Sequence, residues 1–235
     1  MDGSDARLHS RAPTARTGQA WPPGLRPLFG GSLLVVPQQP APRELLVFFH
    51  GANARASDGL ALLRPVAAEH GLLVLLPSSR RATWDLAQGR TGPDVRALDA
   101  RLDEVMSAYD VRRVAFGGFS DGGSYALSLS LANGDLVEQA LAFSPGYYAA
   151  LEPVGQPRIW VSHGTSDAVL PIDLCGRRVV TRLRKHGYRV DYHEFDGGHV
   201  VNAHLVSQAV QAWLDTPSAL KGQVRGEEDD SEIVS

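Results

Sequence analysis

The chain has 235 residues, of which 43% are hydrophobic and 21% charged, and its formal net charge is −3 at pH 7. These values are typical of a soluble globular chain with one α/β-sized domain. The acidic balance argues against a nucleic-acid partner, and no apolar run reaches the roughly 18 residues that a membrane-spanning helix needs. The one cysteine, Cys175, cannot form an intramolecular disulfide and is expected to be a small buried hydrophobe.

The two ends of the chain differ in composition from its middle. Residues 1–29 combine arginine, proline and small polar residues, without the apolar core of a secretory signal. Residues 217–235 contain the acidic stretch GEEDDSE and few apolar side chains. The sequence therefore predicts disordered segments at both ends, one folded domain over residues 30–216, and a cytoplasmic protein.

Short apolar runs alternate with segments of helical periodicity along the folded part. Runs that are apolar on both faces predict buried strands at Leu33–Val36, Leu45–Phe49, Leu72–Leu76, Val111–Phe116, Ala140–Phe143, Ile159–Ser162 and Val190–Phe195. The segments of helical periodicity are Leu60–His70, Pro93–Tyr109, Asp121–Ala132, Leu174–His186 and Val200–Leu214. This alternation predicts a doubly wound, mostly parallel α/β sheet flanked by helices, with reactive side chains on loops beyond the carboxyl ends of the strands.

The predicted strand Val111–Phe116 leads into GGFSDGG, where Ser120 stands between two pairs of glycines. A G-x-S-x-G pattern between a strand and a helix is typical of a nucleophile held on a sharp turn. Glycines at 118 and 122 would let neighbouring backbone approach closely. A plain glycine-rich turn explains the pattern alone, so Ser120 needs a base and an acid elsewhere in the chain to be interpreted as a nucleophile.

Two further strand ends supply candidates for those groups. His199 follows the strand Val190–Phe195 and a glycine pair, and it is the candidate base. Asp167, in HGTSDAVLP, is the candidate acid, with Asp173 and Asp196 as rivals. The order Ser, Asp, His is that of α/β-hydrolases. His204 has the wrong spacing to pair with His199 as a metal ligand, so neither a metal nor a cofactor is expected.

A serine nucleophile also needs donors for the oxyanion that forms in the reaction. The backbone N–H of Asp121, directly after Ser120, is one candidate. The loop FFHGANA, which follows the strand Leu45–Phe49, places the N–H of Ala52 as the second, although a plain His-Gly turn would explain this loop equally well if the other elements were absent.

Taken together, FFHGAN, GGFSDGGSYAL, FSPG, HGTSDAVLP and GGH resemble the phospholipase/carboxylesterase branch of the α/β-hydrolase superfamily, in the order of that family and over about residues 33–214. The resemblance implies Ser120 as nucleophile, Asp167 as acid, His199 as base, and Ala52 and Asp121 as oxyanion donors. The first loop departs from the family, which often has His-Gly-Leu-Gly there, whereas Ala52 and Asn53 follow here.

The expected function is hydrolysis of small or medium soluble carboxylic esters through an acyl-enzyme. Asn53, Trp84 and Tyr147 are candidates for the substrate pocket. The gap between the strands Ala140–Phe143 and Ile159–Ser162 is too short for a cap domain, and the long loop from Pro77 to Asp94 is too polar for a lipid-facing lid. A serine peptidase or amide hydrolase with the same triad, and a non-catalytic binding module, are the alternatives. The expected partner is a small ester, and a homodimer is compatible with the sequence.

Overall fold

A computed structural model describes residues 6–11, 18–88, 92–149 and 151–218 of the chain. Its strands are β1 (Gly24–Pro27), β2 (Leu33–Val36), β3 (Glu44–Phe49), β4 (Leu73–Leu76), β5 (Arg113–Phe119), β6 (Gln139–Phe143), β7 (Arg158–Gly164) and β8 (Val190–Phe195). Its helices are α1 (Leu60–His70), α2 (Pro93–Ala108), α3 (Asp121–Ala132), α4 (Gly176–Lys185) and α5 (Ala203–Asp215). Within the described ranges, no helix has both the length and the apolar character needed to cross a membrane.

The eight strands form one sheet in the order β1-β2-β4-β3-β5-β6-β7-β8. β1 and β2 pair antiparallel with their neighbours, and the strands from β4 across to β8 all run parallel. The carboxyl ends of β3, β5, β7 and β8 therefore lie along one edge, which is where parallel sheets carry their sites. The expectation of a doubly wound, mostly parallel sheet flanked by helices is confirmed.

Helices cover both faces of the sheet because the central strands are apolar on both sides. In β3, Leu46 and Phe48 pack in one cluster with residues of α1 and α5. Leu45, Val47 and Phe49 face the opposite way, into a cluster with residues of α2 and α3. This alternation is the two-residue period of a strand, and both sets of side chains are buried. The fold thus buries the middle of β3 and of β5 and leaves the loops at their carboxyl ends accessible.

Every strand and helix predicted from the sequence is present, with ends that shift by up to three residues. Two shifts matter for the site: β5 continues to Phe119, directly before Ser120, and α5 begins at Ala203 instead of Val200. The later start of α5 leaves the segment after His199 as a loop. Asn202 ends this loop, and its side chain accepts hydrogen bonds from the first backbone N–H groups of the helix.

The amino-terminal segment differs from the prediction of disorder over residues 1–29. Gly24–Pro27 forms β1, and Ala6 and Leu8 are buried in the cluster beneath α2 and α3. The fully buried Asn133 accepts from the Leu8 N–H (2.8 Å) and donates to the Ala6 carbonyl (3.0 Å). Two apolar side chains and one buried amide therefore help to attach a segment whose composition is otherwise polar. Residues 1–5 and 12–17 lie outside the described residues, as do residues 219–235 of the predicted acidic tail.

An ion-pair cluster also ties this segment to the domain and produces a pH-dependent stability. Arg7 makes two hydrogen bonds to Asp135, at 2.8 and 2.9 Å, and Arg11 adds a third at 2.6 Å. The bonds from Arg7 lower the pKa of Asp135 from 3.8 to about 2. A carboxyl whose pKa is lower in the folded state than in the unfolded state stabilises the fold at pH values above its ordinary pKa. This contribution is lost as the pH falls through the lowered pKa.

We therefore expect Asp135→Asn to lower the free energy of unfolding at pH 6, and the difference from the wild type to shrink as the pH falls from about 4 to about 2. Urea unfolding at both ends of that range measures the difference. Asp103→Asn is the matched control, since Asp103 is exposed on α2 and makes no ion pair among the described residues. A constant difference across the range would contradict the assignment.

Candidate active site

The turn between β5 and α3 holds Ser120 in a backbone conformation that few non-glycine residues adopt. Its φ is 58° and its ψ is −119°. The backbone is kept there by the Ser120 N–H, which donates to the Phe143 carbonyl of β6 (2.8 Å). A Cβ on Gly122 would collide with the carbonyl oxygens of Phe49 and His50, and one on Gly118 would collide with the Gly122 carbonyl. The glycines on either side of Ser120 therefore allow α3 to start directly against β3.

Three side chains from three loops form a continuous chain of hydrogen bonds at this edge of the sheet. The Ser120 Oγ lies 2.9 Å from His199 Nε2, and His199 Nδ1 lies 2.7 Å from Asp167 Oδ2. A carboxylate can only accept, so Nδ1 carries the hydrogen and Nε2 presents a lone pair to the serine hydroxyl. This is the tautomer that a base needs in order to take a proton from Ser120.

The environment of Asp167 keeps its carboxyl ionised. Burial alone would raise its pKa, but hydrogen bonds from the Leu170 N–H and from His199 outweigh burial and lower it. The N–H groups of Val169 and Leu170 both donate to Oδ1, at 2.9 and 2.8 Å. The side chain is fully buried, so water does not compete for its oxygens. Oδ2 remains for His199.

The two rival carboxylates lie elsewhere. Asp173 is exposed and forms an ion pair with Arg177 at 2.8 Å. Asp196 is also exposed and makes no hydrogen bond to the described residues. The structure therefore brings Asp167, and neither rival, to His199.

Two backbone N–H groups beside Ser120 are free to bind an anion. Those of Ala52 and Asp121 make no hydrogen bond within the described part of the chain, whereas Asn53 N–H donates to Ala82 and Ala54 N–H donates to Gly51. Asp121 opens α3, where the first N–H groups have no partner within the helix and favour negative charge. The loop of Ala52 is close by, since a Cβ on Gly51 would lie 3.5 Å from the Ser120 Cβ.

A buried network behind the Ala52 loop fixes its position. His50 Nδ1–H donates to the Gly51 carbonyl (2.8 Å), and His50 Nε2 accepts from the Ser79 N–H (3.1 Å). Burial lowers the pKa of His50, which keeps it neutral in this role. The sequence analysis did not assign His50 a role in holding this loop. The only sequence feature that could have indicated it is a histidine directly before a loop glycine.

Trp84, a predicted pocket residue, belongs to the same network. Its indole Nε1–H donates to the His50 carbonyl (2.9 Å), its ring stacks on Tyr125 at 4.8 Å, and it is 1% exposed. The loop that carries it is closed by Asp85 and Asp94, each of which accepts the other's backbone N–H. The expectation that Trp84 lines the substrate pocket is therefore wrong, because its ring is packed into the core under the loop.

The other two predicted pocket residues are at the surface of the site. Asn53 is exposed in a left-handed turn with φ 60°. Tyr147 is half-buried; burial raises the pKa of its hydroxyl, and the nearby Asp121 carboxylate adds to the effect. Tyr147 thus remains a neutral hydroxyl next to the helix start.

An apolar cavity of about 110 Å³ adjoins the Ser120 turn, and the sequence did not indicate it. Gly51, Phe119 and Val201 line the side next to the reacting groups, and the Phe119 ring lies 4.8 Å from the ring of His199. Leu62 of α1 and Leu76 of β4 line it as well. These residues come from five separate segments, so only the folded chain brings them together.

The sheet order, the serine turn and the three loops together define an α/β-hydrolase fold. The fold is shared with the crystal structure of esterase PE8 (TM-score 0.62, 19% identity, 76% of this chain and 96% of that chain). It is also shared with a carboxylesterase from Mesorhizobium loti (TM-score 0.62, 20% identity, 82% and 99% of the chains). A third is Zea mays acyl-protein thioesterase 2 (TM-score 0.58, 17% identity, 79% and 98%). No family model matches this sequence, and no curated protein does.

The position of Trp84 can be tested through stability. Trp84→Phe removes the hydrogen bond to His50 and part of the stack on Tyr125, so we expect the free energy of unfolding to fall by about 1–3 kcal/mol. Urea unfolding measures this change. If Trp84 were exposed and lined an open pocket, the substitution would change the free energy of unfolding by less than about 0.5 kcal/mol. That result would support the prediction from sequence that Trp84 lines the substrate pocket.

Proposed function

We propose that this protein is a serine hydrolase that cleaves carboxylic esters through an acyl-enzyme. The observation that carries the proposal is the hydrogen-bonded chain Ser120, His199 and Asp167, with the neutral imidazole aimed at the serine hydroxyl. The α/β-hydrolase fold, shared with esterases and a thioesterase, supports the same reaction class. A serine hydroxyl alone is a weak nucleophile, and this arrangement supplies the base that it lacks.

In the proposed reaction, Ser120 Oγ attacks the ester carbonyl carbon while His199 Nε2 takes the hydroxyl proton. The carbonyl oxygen becomes an oxyanion, and the N–H groups of Ala52 and Asp121 stabilise it. His199 then gives its proton to the departing alkoxide, leaving an acyl-serine and a free alcohol. Water, deprotonated by His199, attacks the acyl-serine, and release of the carboxylic acid regenerates Ser120. The ionised Asp167 stabilises the imidazolium present in both halves.

The apolar cavity supports a short acyl group as the preferred substrate. Its volume of about 110 Å³ is smaller than a dry cavity of about 150 Å³ that accepts benzene in another protein, so it has room for only a few carbon atoms. Gly51, Phe119 and Val201 form the wall of the cavity nearest to Ser120 and His199. A neutral acyl chain of about four carbons would fill it, which narrows the small or medium esters expected from the sequence to those with a short acyl group.

The triad assignment predicts a specific ranking of variants. Ser120→Ala and His199→Ala should each remove essentially all hydrolysis of p-nitrophenyl butyrate, and Asp167→Asn should cost at least roughly a hundredfold, because triad members act as a unit. Labelling by a fluorophosphonate probe should disappear in Ser120→Ala. Asp173→Asn is the control and should retain wild-type activity. A folded Ser120→Ala that still hydrolyses the ester would refute the proposal.

The acyl pocket predicts how activity depends on chain length. From acetyl to butyryl, each methylene that enters the cavity should raise kcat/KM by up to about fourfold, the equivalent of about 0.8 kcal/mol, and longer chains should gain nothing further. Leu62→Ala enlarges the cavity and should move the optimum towards hexanoyl. Leu174→Ala is the matched control, since Leu174 is exposed and lies outside this cavity. An optimum that does not move in Leu62→Ala would show that the acyl chain binds elsewhere.

A further inference from the structure

A second histidine lies against the carboxylate of Asp167. His163 is the next-to-last residue of β7, and its side chain is completely buried. Its Nε2 lies 2.8 Å from the Leu170 carbonyl oxygen and 3.2 Å from Asp167 Oδ2. One ring therefore contacts two points of the loop that carries Asp167, and one of them is the oxygen that His199 also contacts.

The contacts of His163 define its tautomer. A backbone carbonyl only accepts, so Nε2 carries the hydrogen and donates it to Leu170, and Asp167 Oδ2 lies beside the same N–H group. Nδ1 has no hydrogen-bond partner in the described ranges, and it faces the start of α4, where a Cβ on Gly176 would lie 2.6 Å away. A proton on Nδ1 would be buried without an acceptor, which is costly, so the ring is a neutral donor.

Three donors bond to the buried carboxylate of Asp167, and His163 lies against it as a fourth polar group. Val169 and Leu170 donate to Oδ1 through their backbone N–H groups, His199 donates to Oδ2, and His163 Nε2 lies 3.2 Å from Oδ2. The two backbone bonds come from the same short turn and hold Oδ1 to that turn alone. His163 is the only side chain besides His199, among the described residues, within hydrogen-bonding distance of Oδ2. It comes from the rigid sheet.

We propose that His163 is a positioning residue for the triad. Its Nε2–H holds the Leu170 carbonyl, and with it the turn whose N–H groups fix Oδ1, while the same polar edge of the ring lies against Oδ2. The proposal rests on the proposed function, since it concerns the acid of the same site. Without this donor, the turn that carries Asp167 would be held less firmly and no N–H dipole would face Oδ2, so the His199 imidazolium would persist to higher pH.

Three substitutions separate the donor from the shape of the ring. His163→Phe keeps the ring and removes the donor. His163→Asn keeps a polar group, but its short side chain places the amide at the position of Nδ1, away from Asp167. His163→Gln is long enough to place an N–H donor near the position of Nε2. Fluorophosphonate labelling of the wild type comes first, because an unlabelled wild type would contradict the proposed function itself.

For His163→Phe and His163→Asn we expect kcat for p-nitrophenyl butyrate to fall about 10- to 100-fold, because a small displacement of a catalytic group can cost up to about a hundredfold in rate. KM should stay within about twofold, since the ring does not touch the cavity. The acid limb of the kcat/KM profile should move to higher pH. His163→Gln should restore the limb to its wild-type position and recover most of kcat.

A second measurement does not depend on turnover. The hydrogen between His199 Nδ1 and Asp167 Oδ2 should give a low-field proton resonance in the wild type and in His163→Gln, and this signal should weaken in His163→Phe and His163→Asn. Wild-type kcat and an unmoved acid limb in a folded Phe or Asn variant would overturn the proposal. So would a folded Gln variant as impaired as the others, because the ring shape and not the donor would then matter.

Discussion

The close approach of α3 to the end of β3 is the constraint on which the site depends. At Gly122 no Cβ fits, because the carbonyls of Phe49 and His50 occupy the space. This contact places the first turn of α3 and the loop after β3 side by side, so Asp121 and Ala52, whose N–H groups make no hydrogen bond to the described residues, belong to two packed segments. The strained φ of Ser120 follows from the same contact, since the chain must turn sharply to reach it. One backbone contact thus places the Ser120 turn beside the loop of Ala52.

Three neutral histidines stand at the carboxyl edge of the sheet, and their neighbours assign a different tautomer or task to each. His50 donates through Nδ1 to the adjacent Gly51 carbonyl and braces the loop of Ala52. His199 donates through Nδ1 to Asp167 and presents its other nitrogen to Ser120. His163 donates through Nε2 and presents its other nitrogen to the start of α4. Among the three, only His199 presents its acceptor nitrogen to the Ser120 hydroxyl.

Local sequence patterns predicted the central strands and the positions of Ser120, Asp167 and His199, and the reason is physical. Buried parallel strands need continuous apolar runs, and loops at their ends need glycine, so both are visible in short windows. The position of Trp84 was predicted wrongly because two features of the fold bury it. Its ring packs on Tyr125, which is distant in sequence, and its loop is closed by Asp85 and Asp94, which are polar and give no sign of a core. The segment that contains Leu8 was predicted to be disordered for a similar reason. The Leu8 N–H donates to the buried amide of Asn133, which lies 125 residues away in sequence.

The small size of the cavity is related to the short connection between β3 and α1. The loop after β3 leads through a short turn at Ala56–Gly59 directly into α1. One wall of the cavity therefore consists of residues of that turn and of the first turn of the helix. Leu62 lines the cavity because α1 begins soon after the loop of Ala52. A longer insertion at this point would move α1 away from Leu76 and Phe119 and open the cavity to water. The chain length between β3 and α1 therefore sets the size of the acyl group that the proposed enzyme would accept, independently of the triad beside it.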